Sequence, residues 1–272
     1  MMPRITIADL LAYKKSRQRF TMLTAYDYPM AALMDQAGID MLLVGDSLAN
    51  VVLGLESTRE VGMSEMLHHA GAVARAAKRA MVVGDLPYSA YQEHPQAAVD
   101  NAKQFIDVGC QAIKLEWFEG CDKVAAKIVH QGIPAIGHVG LTPQTAQSMK
   151  VQGKDAASAK QIIDEAKKFQ DAGCFAIVIE CVPVELANMI TQQLTIPTIG
   201  IGAGNGCDGQ VLVSYDVLGL VTRYQPKFSK KFVDLSPLMV EAFRAYASDV
   251  KSGNFPSEAH TFHMPPDEVN KI

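Results

Sequence analysis

No uninterrupted apolar run in the 272-residue sequence approaches the roughly 20 residues needed to span a bilayer. No C-x-x-C pair occurs either: the five cysteines, Cys110, Cys121, Cys174, Cys181 and Cys207, are odd in number and widely spaced. That spacing argues against a zinc or redox site and for buried or free thiols in a reducing compartment. Excess positive charge is also missing. The formal net charge is -4, which disfavours nucleic acid and other polyanions as partners. The first residues, Met1 to Arg19, carry five basic side chains but neither a long apolar centre nor a small-residue cleavage pattern, so no secretory signal is read there. Linkers, low-complexity segments and a second domain are absent as well. A cytoplasmic chain without membrane association is expected.

What is present is a recurring unit. Short apolar runs end in polar or titratable residues at Asp40–Ser47, Val82–Asp85, Ala112–Glu116, Ala135–His138 and Ala176–Glu180, and a further run, Thr198–Gly202, ends in glycine. From Asp46 to Asp85, Glu116, His138, Glu180 and Gly202 the intervals are 39, 31, 22, 42 and 22 residues, consistent with one strand and one helix per step. Helical periodicity is read at 7–17, 28–37, 64–80 with Ser64 as N-cap, 95–108, 122–131, 157–172, 184–194 and 236–251. A first strand is read at 20–24 and an eighth at 217–221. The first helix suits the bottom of a barrel and the last would close it. Eight strands alternating with helices predict a (β/α)8 TIM barrel with a short N-terminal helix, a single domain over 1–272 with an irregular tail from about 257.

Side chains alternate across a strand, so Val44 with Asp46, Val83 with Asp85, Lys114 with Glu116, Ile136 with His138 and Val178 with Glu180 should share faces. One orientation puts all the polar ends inside the barrel mouth. Buried charges there must be paired or metal-bound, and four carboxylates facing one lysine call for further positive charge. Mg²⁺ supplies it with hard oxygen ligands. Asp46 and Asp85 are the candidate ligands, with Glu116 direct or through water; helix capping by each Asp is the structural alternative. Lys114 suits a Schiff-base nucleophile or an anchor for a carboxylate; Glu116, keeping it protonated, favours the anchor, against a plain salt bridge. His138 suits a base, a ligand, a donor or a satisfied core residue. Glu180, after Ala-Ile-Val-Ile, sits in an apolar setting that raises a carboxyl pKa and suits a general base, against simple pairing with Lys114. Ser47 suits a substrate carboxylate, an N-cap or a turn. Gly204–Gly209 satisfies G-x-G-x-x-G, but no clear helix with a distal acid follows, so dinucleotide binding is disfavoured.

Several segments carry a family resemblance: Thr24-Ala25-Tyr26-Asp27-Tyr28, Val44-Gly45-Asp46-Ser47-Leu48, Asp85-Leu86-Pro87, Lys114-Leu115-Glu116, Gly137-His138, Gly140–Gln144, Lys150–Gly153, Glu180–Pro183 and Ile199–Gly204. In this order, over about residues 5 to 263, the chain resembles ketopantoate hydroxymethyltransferases. The resemblance implies a Mg²⁺-dependent barrel, commonly a decamer, that moves a hydroxymethyl group from 5,10-methylenetetrahydrofolate to 3-methyl-2-oxobutanoate, giving 2-dehydropantoate for pantothenate synthesis. It further implies metal ligation by Asp46 and Asp85 with Glu116 in support, ketoacid binding by Ser47, Lys114 and His138, and Glu180 as base. The family pattern is left at Ala49-Asn50, at Trp117-Phe118, and by a loop about three residues short before Lys150. The alternative on the same residues is a folate-independent, Mg²⁺-dependent ketoacid aldolase or lyase.

Overall fold

The computed structural model describes residues 3–146, 148–220 and 226–272. In chain order the elements are α1 (Ile7–Ser16), β1 (Phe20–Thr24), α2 (Tyr28–Gln36), β2 (Met41–Val44), α3 (Leu48–Val51), α4 (Met63–Ala76), β3 (Met81–Asp85), α5 (Tyr88–Tyr91), α6 (Ala98–Asp107) and β4 (Ala112–Glu116). There follow α7 (Cys121–His130), β5 (Ala135–Gly140), α8 (Ala156–Asp171), β6 (Ala176–Glu180), α9 (Val184–Gln193), β7 (Thr198–Ile201), β8 (Gly209–Leu212), α10 (Ser214–Leu218), α11 (Leu235–Ser252) and α12 (Pro266–Val269). Each strand pairs in parallel with the next, and β8 pairs with β1, so the sheet closes as the expected (β/α)8 TIM barrel.

Two apolar layers follow from the strand alternation. Met22, Met41, Leu43, Met81, Val83, Ile136, Val178, Ile199 and Val211 fill the barrel interior, and Leu10 of α1 joins them from below. Val44, Val82, Ile113, Leu115 and Ile177 point outward against the helices. Helix starts are set by local chemistry: Asp27 accepts from the Met30 N–H at 2.8 Å, and Asp155 accepts from the Ala157 and Ser158 N–H groups, each at 3.0 Å. Such caps contribute about 1 kcal/mol each. All five cysteines are buried and free, as their spacing suggested.

Three expectations are corrected. The eighth strand is Gly209–Leu212, whereas Val217 and Leu218 belong to α10, and Val221 lies outside the described residues. Asp208 explains the earlier start: its carboxylate accepts from Lys14 Nζ at 2.8 Å and from the Thr198 N–H at 2.9 Å, tying the chain down just before it pairs with β1. The cap of α4 is Gly62, whose N–H donates to Glu65 at 3.1 Å, and Ser64 lies within the helix. The last long helix, α11, does not bury any residue; Leu238, Phe243 and Tyr246 are 62%, 64% and 62% exposed. Thr21 and Gln210, on the outer faces of β1 and β8, are exposed in turn.

Two strand glycines that precede site residues have a packing reason. A Cβ on Gly84 would lie 2.2 Å from a ring carbon of Phe105, and one on Gly137 would lie 2.4 Å from a ring carbon of Phe169. The helices therefore press aromatic rings directly onto the backbone beside Asp85 and His138. Gly137→Ala is expected to lower the unfolding free energy by about 1–3 kcal/mol through overpacking, seen as a reduced urea midpoint; an unchanged midpoint would mean that Phe169 yields freely.

Candidate active site

Strand register does most of the positioning. Asp85 sits opposite Lys114, and Glu116 opposite His138, so acid and base alternate on neighbouring strands at the carboxyl end of the barrel. Glu180 ends β6 opposite Gly140. The shared faces expected for β3 through β6 hold. For β2 they do not: Leu43 faces inward and Val44 outward. Asp46 nevertheless reaches the mouth, because β2 stops at Val44 and the chain turns, with the Leu48 N–H donating to the Gly45 carbonyl at 3.1 Å.

Asp46, Ser47, Asp85, Lys114, Glu116, His138 and Glu180, the whole expected set, line one cavity of about 660 Å³. Lys114 donates to Asp85 Oδ1 at 2.6 Å and lies 3.7 Å from Glu116 Oε1, so its main partner is Asp85 and not Glu116. Asp85 Oδ2 accepts from the Asp46 N–H at 3.2 Å. His138 stands between two acids, with Nδ1 3.3 Å from Glu116 and Nε2 3.2 Å from Glu180. Neither approach is aligned as a hydrogen bond, so the contacts are chiefly electrostatic. Burial works against a charged His138, but the two flanking carboxylates outweigh it and raise its pKa to about 9. Glu180 pairs with His138, not with Lys114, and its side chain is 15% exposed to the cavity. Cys181, directly after it, holds a left-handed backbone at φ 47°, an uncommon conformation for a residue with a Cβ and one that collects at functional sites.

The electrostatics are unbalanced. Burial, reinforced by the charges of Asp85 and Glu116, lifts the Asp46 carboxyl well above the usual carboxylate range. Burial also raises Asp85, despite Lys114. Glu116 is lowered: burial opposes ionisation, but His138, Lys114 and the Gln144 N–H prevail. Lys114 is held protonated by Asp85, Glu116 and Asp46 against the effect of burial.

A divalent cation fits this donor set. Among the described residues no three His, Cys, Asp or Glu side chains form a ready metal cluster, but Mg²⁺ commonly takes only one or two protein carboxylates and keeps its waters. Asp46 and Asp85 offer those hard oxygens. Both Glu116 oxygens are already engaged, one by Lys114 and His138, the other by the Gln144 N–H at 2.9 Å, which suits outer support.

Sequence reasoning gave Gln144 no role. It is fully buried: Nε2 donates to Asp46 Oδ2 at 2.9 Å and to the Leu86 carbonyl at 3.0 Å, and Oε1 accepts from Tyr91 Oη at 2.6 Å. Only the quoted run Leu141-Thr142-Pro143-Gln144 hinted at it. Ser47 does not cap α3 through its side chain; its hydroxyl pairs with Tyr26 Oη at 2.8 Å. Trp117 and Phe118 turn away from the cavity onto Phe169 and Tyr91, whereas Asn50 lines it. Gly204–Gly209 leads into β8, not a helix, so it lacks the anion-binding helix start of a dinucleotide site.

A model of the family described as ketopantoate hydroxymethyltransferase matches residues 4–258. The chain belongs to the ketopantoate hydroxymethyltransferase family. It is therefore an enzyme, a transferase. Relatives named 3-methyl-2-oxobutanoate hydroxymethyltransferase agree from end to end: that of Carboxydothermus hydrogenoformans is 50% identical over 275 residues and that of Syntrophomonas wolfei 48% over 276, each covering 100% of both chains. Among solved structures, phosphonopyruvate hydrolase aligns with a TM-score of 0.64 at 14% identity, covering 99% of this chain and 94% of its own. The 2,3-dimethylmalate lyase of the PEP mutase/isocitrate lyase superfamily aligns at 0.59 and 15%, covering 100% and 95%. These two likenesses concern the barrel alone. No helix among the described residues is long and apolar enough to cross a membrane.

Gln144→Leu would strip Asp46 of its side-chain donor and take from Tyr91 its nearer acceptor, leaving the Glu116 carbonyl at 3.4 Å. It is expected to weaken Mg²⁺ binding about 10- to 100-fold, as loss of an outer partner typically does, in a calorimetric titration; unaltered affinity would contradict the link from Gln144 through Asp46 to the metal.

Proposed function

We propose that the chain catalyses Mg²⁺-dependent transfer of a hydroxymethyl group from 5,10-methylenetetrahydrofolate to 3-methyl-2-oxobutanoate, giving 2-dehydropantoate in cytoplasmic pantothenate synthesis. The observation that carries this is the convergence of Asp46, Asp85, Lys114, Glu116, His138 and Glu180 on one cavity wall, with more buried acid than base.

Asp46 and Asp85 would hold the metal, with Glu116 supporting it. When bound, Mg²⁺ supplies Lewis-acid polarisation of the keto group and offsets the surplus negative charge. Lys114 has three N–H donors and gives one to Asp85, which leaves donors for the ketoacid carboxylate. Ser47 can add another when Tyr26 donates to its oxygen. Lys114 thus orients substrate and forms no covalent bond with it. Glu180 lies at the end of β6 outside the Asp46, Asp85 and Glu116 cluster yet beside His138 on the same wall, with room next to it in the cavity, and it takes the proton from C3. His138 steadies it through Nε2 and stands on the same wall to contact a substrate oxygen. C3 then bonds to the methylene carbon of the iminium form of the folate, whose C=N electron pair moves onto nitrogen. Water then replaces the folate nitrogen on that carbon: the C–N bond breaks, the water oxygen becomes the hydroxyl of 2-dehydropantoate, one proton of water goes to the nitrogen of tetrahydrofolate and the other to solvent.

Assembly into a homo-oligomer, a decamer by family resemblance, belongs to the same proposal. The apolar side chains of α11 support it, since a contiguous apolar surface of this kind ordinarily meets a partner. Light scattering is expected to give a mass many times 29.5 kDa; a monomer at working concentration would refute assembly.

Activity should require both Mg²⁺ and methylenetetrahydrofolate, and turnover of an aldol-type substrate without folate would favour the aldolase or lyase alternative. Mg²⁺ alone should promote C3 deuterium exchange in 3-methyl-2-oxobutanoate, followed by NMR. Glu180→Gln is expected to abolish that exchange while ketoacid binding persists; unchanged exchange would remove Glu180 as the base.

A further inference from the structure

The cavity has a second end that the chemistry above does not use. Leu212, Val213 and Leu220, at and beyond the end of β8, line it together with Phe228. Asp216 of α10 lines it too. Asp216 is only 8% exposed, yet among the described residues its carboxylate has no hydrogen-bond or ion-pair partner. Burial alone raises its pKa. A carboxylate that lines a cavity beside apolar side chains and takes no protein donor is free to accept N–H groups from a ligand. It is not part of the charged cluster, whose members pair with one another.

The ligand that fits is flat, apolar on its faces, and carries two adjacent N–H donors on one edge. A pterin has this form: its 2-amino group and N3–H make a fork that matches a carboxylate's two oxygens, as a guanidinium does. We propose that Asp216 receives the pterin ring of the one-carbon donor through these two groups, with Leu220 and Phe228 against the ring faces. This rests on methylenetetrahydrofolate being the donor and assigns its place: ketoacid at the charged floor, pterin at the β8 side. Asp216 would thereby set the specificity for a 2-amino-4-oxo pterin over other one-carbon carriers. It would act by binding, not on the reacting atoms.

The test is calorimetric binding of tetrahydrofolate, the non-reacting product, with steady-state kinetics for both substrates. Asp216→Asn turns one acceptor into a donor facing a donor. It is expected to raise the tetrahydrofolate Kd and the KM for methylenetetrahydrofolate about 10- to 100-fold, while the ketoacid KM moves less than about twofold. On the unaltered enzyme, a tetrahydropterin lacking the 2-amino group should bind about 10-fold or more weakly than its parent; this arm does not depend on the variant folding. If tetrahydrofolate binds the unaltered enzyme, and neither the substitution nor loss of the 2-amino group weakens binding, Asp216 is not the pterin contact and the donor assignment stands. If the unaltered enzyme does not bind tetrahydrofolate at all, the donor assignment falls and Asp216's role with it.

Discussion

Excess buried acid at the barrel mouth is the constraint on which the rest of the structure depends. Asp46, Asp85 and Glu116 are all nearly inaccessible, with Glu180 beside them, and among the described residues the bases they pair with are Lys114 and His138. Removing an ion from water costs several kcal/mol even after relaxation. The fold meets that cost by register, which sets Asp85 against Lys114 and Glu116 against His138 with no loop needed to bring them together. What remains uncompensated is concentrated at Asp46. If the proposed cation binds there, ligand binding and fold stability draw on the same electrostatic free energy.

The cavity divides the two halves of the chemistry. Its charged part is built on strand ends held by close packing, where Phe105 and Phe169 lie against glycines with no room for a methyl group. Its apolar part is built from the end of β8 and the chain beyond it. On the proposed reading, groups that must be held accurately relative to a reacting carbon stand on strand ends, and the surfaces proposed to enclose the pterin stand on connections.

Most of the barrel was legible in the sequence because parallel strands are buried on both faces, so short apolar runs with a fixed polar end stand out from the helices between them. Asp85, Lys114, Glu116, His138 and Glu180 were found by alternation along those runs. Asp46 was found for a partly wrong reason: it reaches the mouth through a turn, while Val44 faces the helices. β8 was missed because Gly209-Gln210-Val211-Leu212 is only four residues long and begins in a glycine-rich stretch, whereas Val217 and its neighbours imitate a strand by composition. Gln144 had no local signal beyond the family-like run Gly140–Gln144 that contains it. Its importance lies in contacts to Asp46, Leu86 and Tyr91, 98, 58 and 53 residues away in sequence, which no pattern within one segment can reveal.

His138, clasped between Glu116 and Glu180, has a consequence for how the enzyme's acid–base behaviour must be described. His138 touches both acids while they do not touch each other, so a charge on its ring acts on the two carboxylates together. Replacing the imidazole therefore strips two acids of a shared neighbour at once, and its effect on a pH–rate profile is not the loss of a single group.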